Sequence, residues 1–230
     1  MDKNNKILDK IKGGLVVSCQ ALENEPLHSP YIMGRMALAA KEGGAVGIRA
    51  NSVLDIKAIK EVVDLPIIGL IKKDYPNSKI FITPTMKEID ELIEAGVEVV
   101  ALDATLRPQA DGVSLEDKLK YIHSKNVLAM ADISTYEEGV NAAKLGFDLI
   151  STTLSGYTNY SNQNNGPDVE LVKRLVNDTN ANIVAEGKIF TEEDLTNILS
   201  VKPFAVVIGS AITRPQLITA RYNKIIKDFK

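Results

Sequence analysis

Five polar side chains stand where short apolar runs of the chain come to an end. Gln20 follows Leu15-Val16-Val17-Ser18-Cys19, Arg49 follows Ala45-Val46-Gly47-Ile48, and Lys72 follows Ile67-Ile68-Gly69-Leu70-Ile71. Asp132 follows Leu128-Ala129-Met130-Ala131, and Glu186 follows Ile183-Val184-Ala185. A charge placed directly after a buried run needs a reason, because removing it from water is costly unless it is paired or used. A lysine in such a place gives up its proton more readily, and the neutral amine can act as a general base or attack a carbonyl. The plain alternative for Lys72 is a solvated side chain, with Lys73 pointing the other way. Arg49 and Asp132 read in two ways: as groups that hold a polar substrate, or as an ion pair across one end of the fold.

A second set is rich in glycine. Gly187 comes directly after Glu186 and Gly209-Ser210 after Ala205-Val206-Val207-Ile208, with Arg214 close behind. Backbone N–H groups at such turns cradle a phosphate, and an arginine adds a bidentate contact. The alternative is that the glycines only turn the chain. The remaining candidates are weaker. Cys19 reads as a small packed hydrophobe more readily than as a nucleophile, and neither His28 nor His123 has a second ligand at metal spacing, so no metal site is expected. The acidic residues of the helical segments read as solvated faces.

These groups act together only if the elements behind them bring their ends to one place. Strands are expected at Gly14–Gln20, Ala45–Arg49, Pro66–Lys72, Val97–Asp103, Val127–Ile133, Phe147–Thr152, Asn182–Glu186 and Ala205–Gly209. Helices are expected at Pro30–Glu42, Val53–Val63, Met86–Ala95, Leu115–Ser124, Tyr136–Leu145, Asp168–Asn177, Glu192–Leu199 and Pro215–Asp228. Eight alternations of this kind predict a parallel sheet with crossover helices. The first strand ends in Ser18-Cys19-Gln20 rather than in a glycine-rich dinucleotide loop, which argues against an open doubly wound sheet. The expected fold is α/β, a single (β/α)₈ barrel spanning residues 1–230, with active groups at the carboxyl ends of the strands. Period two puts the five polar residues in phase with Ser18, Gly47, Leu70, Met130 and Val184, so all five converge if these point inward.

Punctuation agrees with this division. Gly43-Gly44, Gly96 and Gly146 fall where helices end, and Ser114 and Thr191 precede acids that suit a helix start. Two loops are long and polar, Lys73–Thr85 and Ser155–Pro167; the second is either a lid or an ordinary solvated loop.

Composition excludes several classes of partner. The formal charge is −3 with lysine and arginine dispersed, so the basic stripe that nucleic acid requires is missing. The segment from Met1 to Lys12 has no apolar stretch of the signal-peptide kind, and no run approaches a membrane span. A single cysteine excludes an internal disulfide. Cytoplasmic residence, with neither nucleic acid nor membrane as partner, is the expectation.

Many short segments in order carry a resemblance. They include Ser18-Cys19-Gln20-Ala21, Glu25-Pro26-Leu27-His28, Gly47-Ile48-Arg49-Ala50, Ile82-Thr83-Pro84-Thr85, Met130-Ala131-Asp132-Ile133, Thr152-Thr153-Leu154-Ser155-Gly156-Tyr157, Ala185-Glu186-Gly187 and Gly209-Ser210-Ala211-Ile212-Thr213-Arg214-Pro215. From about Lys12 to Arg221 the chain resembles the N-acetylmannosamine-6-phosphate 2-epimerases of bacterial sialic acid catabolism. The resemblance implies a sugar-phosphate substrate, no cofactor and a homodimer, with the C-terminal helix as a candidate interface element. It makes Lys72 the catalytic lysine and Glu186 its partner carboxylate. It makes Gln20, Arg49 and Asp132 sugar contacts, and Gly187, Gly209, Ser210 and Arg214 the phosphate site. Two departures stand out: Lys188 occupies a position where arginine is frequent, and the Asn162–Asn165 run matches no motif. They leave open whether Lys188 binds the ligand and whether the loop is a lid.

For such a reaction Lys72 has to lose its proton near neutrality. At an unperturbed pKa near ~10.4, about one amine in 2,500 is neutral at pH 7. Burial and the nearby Arg49 charge are expected to lower it, whereas a tight contact with Glu186 would raise it. Rival readings are a Schiff-base aldolase, trapped by borohydride, and a non-catalytic sensor that keeps the phosphate site without turnover.

Overall fold

The computed structural model describes residues 3–229, and in it every strand pairs in parallel with the strand that follows it in sequence. β1 (Leu15–Cys19), β2 (Gly47–Asn51), β3 (Ile67–Leu70), β4 (Val99–Asp103), β5 (Leu128–Asp132), β6 (Leu149–Ser151), β7 (Ile183–Glu186) and β8 (Ala205–Ile208) close into a barrel when β8 pairs with β1. The surrounding helices are α2 (Pro30–Glu42), α3 (Val53–Lys60), α4 (Met86–Glu94), α5 (Leu115–Ser124), α6 (Tyr136–Leu145), α7 (Val169–Asp178), α8 (Glu192–Ser200) and α10 (Pro215–Asp228). Two helices lie outside the expected alternation, α1 (Lys3–Ile11) and the short α9 (Ser210–Thr213). Among the described residues no helix is long and apolar enough to cross a membrane.

The alternation along each strand builds two cores. Val99 and Ala101 of β4 join Leu70, Met130, Val184 and Val207 inside the barrel, while Val100 and Leu102 pack outward against the helix ring. The inner set contains the expected inward residues Leu70, Met130 and Val184, so the rim residues two positions further on face the same way.

Helix α1 lies in a stretch for which the sequence suggested no element. Its Ile7 and Ile11 fall on one face and are buried in the inner core with Val16 and Leu128, stopping the barrel at the amino-terminal ends of its strands.

The caps at Ser114 and Thr191 form as expected, with their hydroxyls accepting from Asp117 N and Asp194 N. Thr85 with Glu88 and Thr135 with Glu138 add two full capping boxes. These also correct the reading of helix acids as solvated, because Glu88 and Glu138 are buried where their carboxylates satisfy backbone donors. Of the helix-ending glycines, Gly44, Gly96 and Gly146 take positive φ, whereas Gly43 stays right-handed and continues the helix geometry.

The strand limits differ from expectation by up to two residues. β1 ends at Cys19 and β3 at Leu70, so Gln20 and Lys72 lie beyond their ladders rather than closing them. The Lys73–Thr85 loop is not simply polar: it folds back so that Ile82 bridges Lys72 in antiparallel fashion, and it buries Ile80 and Ile82.

Candidate active site

At the carboxyl ends of the strands the barrel opens on a cavity of about 200 Å³. Gln20, Arg49, Lys72, Glu186, Gly209 and Arg214 all line it, and so do Gly187 and Ser210. The structure therefore gathers eight of the nine expected site residues around one cavity. The exception is Asp132, which is wholly buried behind Arg49.

Lys72 owes its place to three short connections. Its backbone N–H donates to Asn51 Oδ1 at 2.8 Å, tying it to the end of β2. Lys73 N–H donates to the Phe81 carbonyl and Thr83 N–H to the Ile71 carbonyl, at 2.9 and 2.7 Å, so a two-stranded extension carries the ladder past β3. Thr83 closes that extension at φ 48°, an uncommon conformation for a β-branched residue, and its hydroxyl donates to the Ala101 carbonyl at 2.6 Å. Because Lys72 stands opposite Ile82, which belongs to the inner core, its side chain faces the barrel axis.

Among the described residues the Lys72 ammonium has no hydrogen-bond acceptor and no ion-pair partner. Burial lowers its pKa to about 8, helped by the positive charges of Arg49 and Arg214 and opposed by Glu186 and Asp132. About one amine in ten is then neutral at pH 7.

Arg49 is the hub of the opposite wall. It is wholly buried, and its two terminal nitrogens grip Asp132 at 3.0 and 2.5 Å while NH1 also pairs closely with Glu186. Burial disfavours the Arg49 charge, but the two carboxylates outweigh it and hold the guanidinium pKa above its ordinary value. The ion-pair reading of Arg49 and Asp132 thus agrees with the structure, and Glu186 is a third member. Burial raises the Glu186 pKa, with Arg49 pulling it down and Asp132 pushing it up.

Around the other end of the cavity the chain turns tightly. Gly187 has φ 107°, and a Cβ at Gly209 would come within 3.2 Å of Ser18 Cβ, so both glycines serve backbone geometry beside the cavity. Arg214 pairs with Glu25 at 2.8 Å and reaches Ser210 Oγ at 3.3 Å. Gln20 donates to Ser18 Oγ at 2.8 Å while its Oε1, buried, has no partner.

Lys188 also lines the cavity, and its Nζ donates to the Asn164 carbonyl at 2.6 Å with the Tyr157 ring 5.7 Å away. The Ser155–Pro167 loop is fastened at several points. Tyr160 donates to Glu138, Ser155 to Asp168, and Gln163 to the Thr158 and Ser161 carbonyls.

Two hydroxyls, of Ser151 at the end of β6 and of Thr153 two residues on, join the Arg49 network and were not singled out in the sequence. Thr153 Oγ1 lies 2.6 Å from Asp132 Oδ1, 3.1 Å from both Arg49 NH1 and Glu186 Oε2, and 2.8 Å from Ser151 Oγ. The weaker candidates fall away. Burial pushes the Cys19 thiol up to about 12, His28 meets the Ala21 carbonyl and His123 meets Asp148. Among the described residues no three metal-ligating side chains gather.

Comparison with known proteins yields a consistent set of likenesses. The family described as "Putative N-acetylmannosamine-6-phosphate epimerase" matches residues 33–228. Proteins named "Putative N-acetylmannosamine-6-phosphate 2-epimerase" from Clostridium perfringens strain 13 and Clostridioides difficile strain 630 are each 56% identical over 221 residues. These cover 96% of this chain and 100% and 99% of the relatives. The solved structure of the N-acetylmannosamine-6-phosphate 2-epimerase from Clostridium perfringens is similar with a TM-score of 0.93 at 56% identity, covering 95% of this chain and 96% of that one. A thiamine phosphate pyrophosphorylase from Pyrococcus furiosus, 16% identical with a TM-score of 0.60, shares the fold alone.

Proposed function

The chain belongs to the N-acetylmannosamine-6-phosphate epimerase family, and on that premise we propose that it interconverts N-acetyl-D-mannosamine 6-phosphate and N-acetyl-D-glucosamine 6-phosphate by removing and returning the C2 proton. The observation that carries the reading is the unpartnered amine of Lys72 on the cavity wall, with its pKa lowered to about 8.

In the open-chain sugar the C2 hydrogen lies next to the C1 carbonyl. Lys72 takes it as a proton, and the electron pair of the C–H bond moves into an enolate whose charge rests on O1. Return of a proton to the opposite face of C2 gives the epimer, with no net oxidation. Arg49 and Gln20 face the sugar, and a well-placed donor to the developing oxyanion contributes roughly 3–4 kcal/mol. Glu186, raised in pKa and paired with Arg49 rather than Lys72, suits proton carriage or the holding of a hydroxyl. Gly187, Gly209, Ser210 and Arg214 take the 6-phosphate, with Arg214 exchanging part of its contact with Glu25 for the anion. Asp132 acts through Arg49.

The exposed apolar side chains Leu217, Ile225, Ile226 and Phe229 on and just after α10 support a homodimer. Proton NMR of the 6-phosphate sugar in D₂O tests the reaction: deuterium enters C2 as the epimer forms with the unaltered protein, and neither occurs with Lys72→Ala. A borohydride-trapped adduct on Lys72 would transfer the assignment to Schiff-base chemistry.

A further inference from the structure

The hub around Arg49 holds two carboxylates and one hydroxyl that touches both. Asp132 Oδ1 lies 2.6 Å and Glu186 Oε2 3.1 Å from Thr153 Oγ1, which sits in the turn past β6 and also meets Ser151 Oγ at 2.8 Å. Its neighbour Thr152 does a different job. The Thr152 hydroxyl accepts from Glu186 N–H at 3.1 Å and donates to the Glu186 carbonyl at 2.9 Å, closing the ladder between β6 and β7 by a side chain. Two adjacent threonines thus fix Glu186, one by its backbone and one by its carboxylate.

Hydrogen counting makes the second contact consequential. A threonine hydroxyl has one proton to donate. With Asp132 and Glu186 both ionised, that proton serves one of them at a time. When it serves Asp132, Glu186 relies on Arg49 NH1 and on Ser151, whose Oγ is 3.3 Å from Glu186 Oε2. When it serves Glu186, Asp132 relies on Arg49. Rotation of a single hydroxyl therefore links the charge on Glu186 to that on Asp132.

We propose that Thr153 is a positioning residue of the reaction, whose hydroxyl holds the Glu186 carboxylate in the cavity and favours its ionised form by sharing one proton between Glu186 and Asp132. The proposal rests on the epimerase reading of the site. Charged and titratable groups face Glu186 from every side: Arg49 from β2, Lys72 beyond β3, Asp132 from β5, Tyr157 from the loop after β6, and Arg214 from the loop after α9. Of these, Arg49 and Asp132 also touch the Thr153 hydroxyl, at 3.1 and 2.6 Å, so Glu186→Gln is needed to tell the Glu186 limb from effects that reach it through them. Among the supporting facts, the Thr153 contact lowers a Glu186 pKa that burial raises.

The experiment compares the pH dependence of kcat/KM for the unaltered protein, Thr153→Val and Thr153→Ser, with C2 deuterium incorporation as the assay. Loss of a hydrogen bond to a charged group predicts a fall in kcat for Thr153→Val of about tenfold or more. The limb that reports Glu186, identified as the one missing in Glu186→Gln, moves to higher pH. Thr153→Ser restores both the rate, to within about twofold, and the limb. Thr153→Ala replaces the valine variant if the latter does not fold. An unshifted limb in a folded hydroxyl-free variant would overturn the proposal, as would a serine variant as impaired as the valine one. If the unaltered protein itself incorporates no deuterium at C2, the epimerase reading is what fails.

Discussion

Two lysines of this chain are withdrawn from water, and they differ in what surrounds them. Lys118, on α5, is wholly buried and gives each of its three ammonium hydrogens to an acceptor: the Pro84 carbonyl at 2.8 Å, Gln109 Oε1 at 2.9 Å and Asp111 Oδ1 at 3.1 Å. Lys72 is half-buried, faces a cavity and has no acceptor among the described residues, while the charges acting on it include the cations Arg49 and Arg214. Burial lowers the pKa of both. Withdrawal from solvent alone therefore does not mark a base. What separates the two is whether the charged form is satisfied: Lys118 is a cationic clamp that fastens the loop before α5 to the loop that carries Lys72, and Lys72 is left free to release its proton.

The strongest way to break this contrast is to remove each amine in turn. Lys72→Ala is expected to lower kcat by about 10²–10⁴-fold, the range of general base catalysis, while the folded protein persists. It should not lose stability. A lysine whose folded pKa is about 8 and whose unfolded pKa is near ~10.4 is harder to keep charged in the folded state, so stability attributable to it rises as pH climbs between those values. Thermal melts at pH 7 showing Lys72→Ala at or above the unaltered protein agree with this, and a large drop would make Lys72 a structural residue.

Next in size is the pH dependence. Below about 8, kcat/KM is expected to fall by close to tenfold per pH unit as the Lys72 amine is protonated, a slope that rate measurements from pH 5.5 to 9 resolve. A flat profile there would mean that the amine does not have to be neutral.

Lys118→Met reverses the pattern. Removing the cation strands Asp111, Gln109 and the Pro84 carbonyl, a loss of about 2–4 kcal/mol, or roughly 5–15 °C in Tm, with kcat changed only a few fold. Calorimetry beside the rate assay checks both halves. The smallest effect belongs to Lys73, the sequence neighbour of Lys72. It is exposed and only 3.5 Å from Glu88, so Lys73→Ala should change stability by no more than about 0.5 kcal/mol and kcat by less than twofold. A tenfold loss of activity would show that the Tyr75–Glu88 contact beside it governs the Lys72 loop.

How far such distinctions can be read without coordinates depends on what signals them. The eight strands were legible because Val- and Ile-rich runs are uncommon except in buried sheets, and Lys72, Arg49 and Glu186 were legible because a charge after such a run is conspicuous. Thr153 carries no charge, and hydroxyls are ordinary at any loop start. Its partners Arg49, Asp132 and Glu186 are brought to it only by barrel closure. Lys118 likewise has the spacing of a surface helix residue, and its burial follows from the way the loop containing Asp111 and Gln109 folds over it. The α1 helix escaped because its two buried isoleucines are outnumbered by polar neighbours.

With Ile7 and Ile11 sealing the far end and the inner side chains filling the shaft, traffic among the described residues runs through the doorway at the carboxyl rim. Incoming and outgoing sugars then contend for the same threshold, and nothing in the architecture favours one direction of travel. The epimer that stands below its equilibrium share outside draws the flow, so the molecule equilibrates its two sugars and leaves the bias to whatever removes one of them.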